Sequence, residues 1–238
     1  GGHITAVAGN STDAEGLGGV VAISAGAAWG RAGSDADEWV RRRAVDGPYL
    51  IGLTGRIASG KSTVAARLAT RRDVAVIDAD VLGHWLYRPG GAGVAGVVRL
   101  FGEGMRRGDG GVDRANLRAR VWNDDEAMAR LSALMWPMIA RAASRKAIRA
   151  ARDGARIVLL EAAVLLEAGW DQLCDEVWMC ALSAAEQRRR LMARNGLSEV
   201  EAEARIEAQA RAQVPLEECQ SRVDVFLSTE GDEGGRVL

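Results

Sequence analysis

Residues 50–63 read LIGLTGRIASGKST. Gly55, four residues, and then Gly60-Lys61-Ser62 reproduce the spacing G-x-x-x-x-G-K-[ST] of a phosphate-binding loop. An apolar run, Tyr49–Thr54, precedes it, and a helical pattern, Lys61–Ala69, follows. Each residue type has a task. Gly55 and Gly60 let the backbone turn tightly and bring N–H groups onto phosphate oxygens, with Ala58 and Ser59 in the turn between them. The following helix aims its positive end at the same anion. Lys61 reaches the β and γ phosphates as a mobile charge. The Ser62 hydroxyl is placed to ligate Mg²⁺ and Thr63 to meet the α phosphate, so the implied cofactors are ATP and Mg²⁺.

Working outward, four more apolar runs read as buried strands: Val74–Asp78, Arg156–Glu161, Glu176–Leu182 and Val223–Leu227. Helical patterns lie between them, at Arg114–Ala151, Ala184–Arg194 and Ser198–Ala212. Strands alternating with helices predict an α/β fold with a parallel five-stranded sheet and helices on both faces. The gap between the second and third runs is too long for one crossover helix, which predicts an inserted helical part at about 84–152. A second helical segment at about 184–212 is read as a lid. Residues 1–48 hold ten Gly and ten Ala without a steady period, and are read as a flexible linker or tail before a domain at 49–238.

Composition narrows the classes. The chain has 238 residues, 48% apolar, with 31 basic and 32 acidic side chains and a net charge of −1. A wholly disordered chain is excluded, and no overall field points to nucleic acid. Three cysteines, Cys174, Cys180 and Cys219, without a C-x-x-C pair, argue against a disulfide scaffold or a zinc site and make a reducing compartment, the cytoplasm, the default. No apolar run approaches the roughly 18 residues of a membrane helix. The start at Gly1-Gly2, without Met, is read as a cut from a longer protein.

Carboxylates gather where the loop needs them. In a parallel sheet, ligands collect beyond the carboxyl ends of the strands. The second run ends in Asp78-Ala79-Asp80. Asp80, just past the strand, could accept a proton from an attacking hydroxyl; the other role open to either Asp is a helix cap, and Asp78 fits that better. Ile157–Leu160 followed by Glu161 has the form of a strand whose terminal acid binds Mg²⁺ directly or through water. Arg190 and Arg194 share one helix face and could meet charge on a transferring phosphoryl group; a solvated face is the alternative. Trp122, Trp136 and Trp178 lie in apolar periodic stretches and are read as core.

Together these segments carry a resemblance. GLTGRIASGKST (52–63), VIDADVLGHWLY (76–87), DRANLRARVW (113–122), LMWPMI (134–139), EAAVLLEAGW (161–170), RRLMARNGLSE (189–199) and RIEAQ (205–209) resemble dephospho-coenzyme A kinases. Within that family the likeness is nearest to the C-terminal kinase domain of animal-type bifunctional coenzyme A synthase. It runs from about Tyr49 to about Asp232. The resemblance implies a nucleotide-kinase-like sheet with a helical substrate-binding part and an arginine-bearing lid. It implies transfer of the ATP γ-phosphoryl group to the ribose 3′-hydroxyl of dephospho-CoA. Asp80 then matches the family's catalytic base and His84 a position near the acceptor. Lys61, Ser62 and Thr63 match the ATP and Mg²⁺ contacts, and Gln187, Arg190 and Arg194 the lid. It also implies an upstream adenylyltransferase domain in a longer chain. Glu161 and Asn195 stand where the family usually has Asp. Trp136 and Ser228-Thr229 follow the animal-type pattern, and the chain stops at Leu238, short of the family's closing helix. Two other readings stay open: a different small-molecule kinase such as a nucleoside monophosphate kinase, and a nucleotide-binding module without turnover.

Overall fold

A computed structural model describes residues 6–8, 47–122 and 124–231. Its sheet is built on strand β2 (Tyr49–Gly55). Leu50, Ile51 and Leu53 are buried, as a continuous apolar run must be when both sheet faces are covered. β2 pairs in parallel with β4 (Ile157–Glu161) on one side, Leu53 opposite Glu161. On the other side it pairs in parallel with β5 (Glu176–Ala181), Gly55 opposite Cys180. Strand β6 (Val225–Ser228) continues the parallel ladder beyond β5, and β3 (Val74–Asp78) lies outside β4. Five strands thus match the five apolar runs.

A sixth strand was not expected. β1 (Ala6–Ala8) adds to the β6 edge in antiparallel register, Ala6 opposite Leu227, giving the order β1-β6-β5-β2-β4-β3. These three residues fall in the segment read as linker, and the rest of residues 1–46 lies outside the described residues. A three-residue pairing carries no period that a sequence could display; it exists only because β6 offers a free edge.

The described residues divide into two compact units. The first gathers Pro48–Ile77 with residues 150–231 and holds the sheet. Its helices are α1 (Lys61–Leu68), α6 (Ala184–Asn195), α7 (Glu199–Ala212) and the short α8 (Leu216–Cys219). Ile51, Leu53, Val64, Leu159 and Leu227 form its core beside α1. Trp170, 2% exposed, is the buried tryptophan of this unit, and Arg222 clasps Asp171 beside it through bonds of 2.6 and 3.0 Å.

The second unit is Asp78–Arg149 and is helical. It comprises α2 (Ala79–Leu86), α3 (Ala92–Phe101), α4 (Arg114–Val121) and most of α5 (Asp125–Arg152). Val94, Val97, Leu117, Leu131 and Met135 make its core. The pattern 114–151 reads as one helix in sequence but forms two. Asp124 explains the break: its carboxylate accepts from Ala127 N–H at 2.8 Å and starts α5 afresh. The break also overturns the reading of Trp122 as core. It sits in extended conformation at the end of α4 and is 67% exposed. Trp136 and Trp178 are half-buried.

Candidate active site

Most helices here begin with a side-chain cap. Asp78 caps α2, Asp113 caps α4, Ser183 caps α6, and Ser198 caps α7 in a capping box with Glu201. Helix α1 has none; Gly60 stands at its N-cap with φ 83°. Its first N–H groups are thereby kept for something else, and an anion is what they suit.

The loop that leads there is tight. At Gly55, φ is 148°, and a Cβ would fall 2.7 Å from the Cys180 carbonyl oxygen. At Gly60 a Cβ would meet Arg190 and Thr229 at 3.4 Å, in a backbone region that L side chains rarely adopt. Ala58 nonetheless has φ 60°, in that left-handed region. Ala58→Gly relieves roughly 1–2 kcal/mol of strain against a smaller gain in unfolded-chain entropy. The variant is expected to melt a few degrees higher (~2–4 °C), read by thermal denaturation followed by circular dichroism.

Lys61 folds back along the loop. Its Nζ donates to the Gly55 carbonyl at 2.7 Å and to that of Arg56 at 3.3 Å. The Ser62 Oγ donates to Glu161 Oε1 at 2.7 Å. The strand-end acid is therefore one hydrogen bond from the loop hydroxyl, and its extra methylene relative to Asp does not keep it from reaching. Two such oxygens suit a hard dication that prefers oxygen ligands, so the donor set fits Mg²⁺. Beneath them lies the Cys180 thiol, pushed up to about 12 by burial and by the Glu161 charge, against the opposing effect of Lys61.

Arginines close the other side. A cavity of about 420 Å³ is lined by Ala58, Ser59, Gly60, Lys61, Ser62 and Thr63 from the loop and by Arg189, Arg190 and Arg194 from α6. The loop residues and the two lid arginines singled out in the sequence thus meet at one place. Arg190 is held firmly. Its Nε donates to Glu186 Oε1 at 2.6 Å and its Nη2 to the Thr229 carbonyl at 2.5 Å. Thr229 in turn donates to the Ser59 carbonyl at 2.8 Å. Arg194 donates to Asn195 Oδ1 at 2.9 Å, so Asn195 supplies the acceptor that an aspartate would. Hydrogen bonds from Arg189, and then from Arg190, hold the Glu186 carboxyl at about 2 against its burial. With the folded value depressed, this support for Arg190 is complete above the ordinary Glu range and is lost only as pH falls towards 2.

The second unit carries the remaining candidates. Asp78 accepts from Val81 N–H at 2.9 Å, which settles it as the cap of α2. Asp80 lies exposed in the first turn, and His84 follows one turn later. His84 Nε2 lies 2.9 Å from Arg114 Nη2, which pairs the ring with a guanidinium of α4. Within the same unit, Leu82, Trp85, Leu86, Arg145, Lys146 and Arg149 line a cavity of about 390 Å³, with Arg88 stacked 4.0 Å from the Trp85 ring. Arg114, Arg189, Glu186 and Thr229 were not singled out by role in the sequence. Arg114, Arg189 and Thr229 lie in stretches that carried the resemblance without a role of their own, and Glu186 gave no signal.

Among the described residues no helix is long and apolar enough to cross a membrane, and no group of three or more His, Cys, Asp or Glu could hold a metal ion. The three cysteines are free thiols.

Known proteins place the chain. Residues 49–232 match the family model described as dephospho-CoA kinase. A protein named dephospho-CoA kinase from Symbiobacterium thermophilum is 42% identical over 182 residues, 76% of this chain and 74% of its own. One of the same name from Geobacter sulfurreducens is 41% identical over 76% of this chain and 90% of its own. Among solved structures, TT1252 from Thermus thermophilus superposes with a TM-score of 0.63 at 35% identity, covering 78% of this chain and 91% of that one. Dephospho-CoA kinase from Campylobacter jejuni, 22% identical with a TM-score of 0.54 over 77% of this chain and 89% of its own, shares the fold. These relatives are bacterial, so they show the family and not the finer likeness to the animal-type domain. With the loop, the strand-end acid and the arginine helix in one parallel sheet unit, the chain belongs to the dephospho-CoA kinase family.

Proposed function

We propose that this protein phosphorylates the ribose 3′-hydroxyl of dephospho-CoA with ATP, giving coenzyme A and ADP. The observation that carries this reading is the single cavity lined by the loop from Ala58 to Thr63 and by Arg189, Arg190 and Arg194. The loop backbone and the uncapped start of α1 receive the ATP phosphates. Lys61 leaves its carbonyl partners to follow the phosphoryl charge, while Arg190 and Arg194 balance the charge from the opposite wall. Ser62 and Glu161 would hold Mg²⁺, which would supply positive charge against the negative charge of the phosphates. Asp80 takes the proton of the attacking hydroxyl, the P–O bond to the β phosphate breaks, and ADP leaves. His84 and Arg114 orient the acceptor beside Asp80 on α2. Positioning and charge do most of the work in such transfers.

Glu161 and Asn195 are, with the short C-terminus, the departures from the family pattern that a silent module would rest on. Glu161 bonded to Ser62 and Asn195 bonded to Arg194 support turnover instead. Trp136 and Ser228-Thr229 support a further part of the proposal, a place beside an adenylyltransferase domain in a longer chain. Reading the transcript upstream of Gly1 tests it. The activity itself is tested by coupled ADP release with ATP, Mg²⁺ and dephospho-CoA, with AMP and adenosine as parallel acceptors. The expected result is turnover with dephospho-CoA alone and a product of the mass of coenzyme A. Equal turnover with AMP would move the protein to another acceptor class, and ATP binding without ADP release would make it a silent module.

A further inference from the structure

Two lid features have no part in the mechanism above: the stretch RIEAQ at 205–209, and Gln187, matched to the lid without a role of its own. The structure brings both to one residue of the phosphate loop. The N–H of Ile57 donates to Gln209 Oε1 at 2.6 Å. The carbonyl of Ile57 accepts from Gln187 Nε2 at 3.0 Å. Gln187 comes from α6 and is buried, and Gln209 comes from α7 and is half-buried. Ile57 immediately precedes Ala58, the one non-glycine among the described residues with positive φ. The loop is therefore gripped at the point where its backbone is most strained.

The grip also sets distances on the lid. Gln187 lies three residues before Arg190 on α6, about one turn along the same helix. Arg188 ties α6 to α7 through Glu203 at 2.9 Å and Glu199 at 3.2 Å. The loop is thus joined to both lid helices by uncharged amides, and the lid helices are joined to each other by ion pairs. A salt bridge at Ile57 would place a charge beside the phosphates; an amide holds the backbone without doing so.

We propose that Gln187 and Gln209 are positioning residues that clamp the two backbone polar groups of Ile57, and so hold Arg190 and Arg194 in register with the phosphate loop. The proposal deepens the reading of the lid arginines given above and rests on it. Its chemistry is asymmetric. Gln209 must accept, which a glutamate also does. Gln187 must donate, which a glutamate at neutral pH does not. A role in packing alone would treat the two glutamates alike.

The test compares Gln209→Glu, Gln187→Glu, and the near-isosteric Gln209→Met and Gln187→Met. ATP affinity is read by calorimetry without acceptor, and kcat/KM for ATP with dephospho-CoA. Gln209→Glu is expected to stay within about fivefold of the parent in both, the loss coming from its added charge near the phosphates. Gln187→Glu is expected to weaken ATP binding by about 30-fold or more, because two acceptors then face each other in a half-buried place. Each Met variant is expected to lose about tenfold. Equal losses for the two glutamates, or Met variants at the parent's affinity, would overturn the clamp. Should Gln187→Glu fail to fold, Gln187→Met set against Gln209→Glu makes the same comparison. The binding arm needs no acceptor, so it decides the clamp even if the turnover arm rejects dephospho-CoA as substrate.

Discussion

Replacing Lys61 with alanine is expected to lower kcat/KM for ATP by about 10²–10³, the scale of losing one charged donor aimed at a developing phosphoryl charge. The side chain now lies along the loop, bonded to the Gly55 and Arg56 carbonyls. In Lys61→Ala those carbonyls lose a donor as well, so the loop loosens in addition to losing a cation. Both KM for ATP and kcat should therefore suffer. Initial rates across ATP concentrations give both constants. An unchanged kcat with raised KM would confine Lys61 to ground-state binding, and parental values in both would remove it from the site.

The second large effect is expected at Asp80. Asp80→Asn keeps the size and the hydrogen-bonding reach of the side chain but cannot take up a proton. Turnover should fall by about 10²–10⁴, the usual contribution of a positioned general base. KM for ATP should move little, because the role proposed for Asp80 is toward the acceptor hydroxyl, while the loop and Lys61 hold ATP. Asp78→Asn is the control. That residue caps α2 through Val81 N–H, and asparagine caps about as well, so stability should change by less than about 1 kcal/mol and kcat should stay largely intact. Equal losses of kcat at both positions would point to the helix rather than to the carboxylate. Parental kcat in Asp80→Asn would remove Asp80 from the chemistry.

The contrast between these two aspartates shows what was legible in the sequence. Their spacing from the strand end allowed the right assignment of the cap, since an N-cap must precede the helix and face its own third residue. The phosphate loop was legible because its glycines, lysine and hydroxyls are dictated by local geometry within nine residues. The strands were legible because each is a short apolar run, and in the central β2 and β4 the run is buried on both faces. What sequence withheld was distant or negative. Thr229, Gln209 and Glu186 matter through what they touch across the fold; RIEAQ and Ser228-Thr229 stood out in the sequence, but neither named its partner. The break at Trp122–Asp124 has no glycine or proline to mark it, and Asp124 looks like any surface acid until it caps. β1 lies in an Ala- and Gly-rich segment whose composition favours no structure, and only the edge of β6 selects it.

The central position of β2 has a consequence for how the molecule is made. The strand that carries the phosphate loop leaves the ribosome before the helical unit, yet both of its neighbours, β4 and β5, are encoded after the whole of that unit. Until residues 157–161 and 176–181 emerge, the nascent β2 has apolar faces and open edges and nothing to close them. The helical unit, held by contacts nearer in sequence, is able to fold first, while the sheet waits on distant partners and closes last. Slow synthesis between Arg149 and Ala181 would lengthen the interval in which that strand is exposed to chaperones, to proteases and to copies of itself.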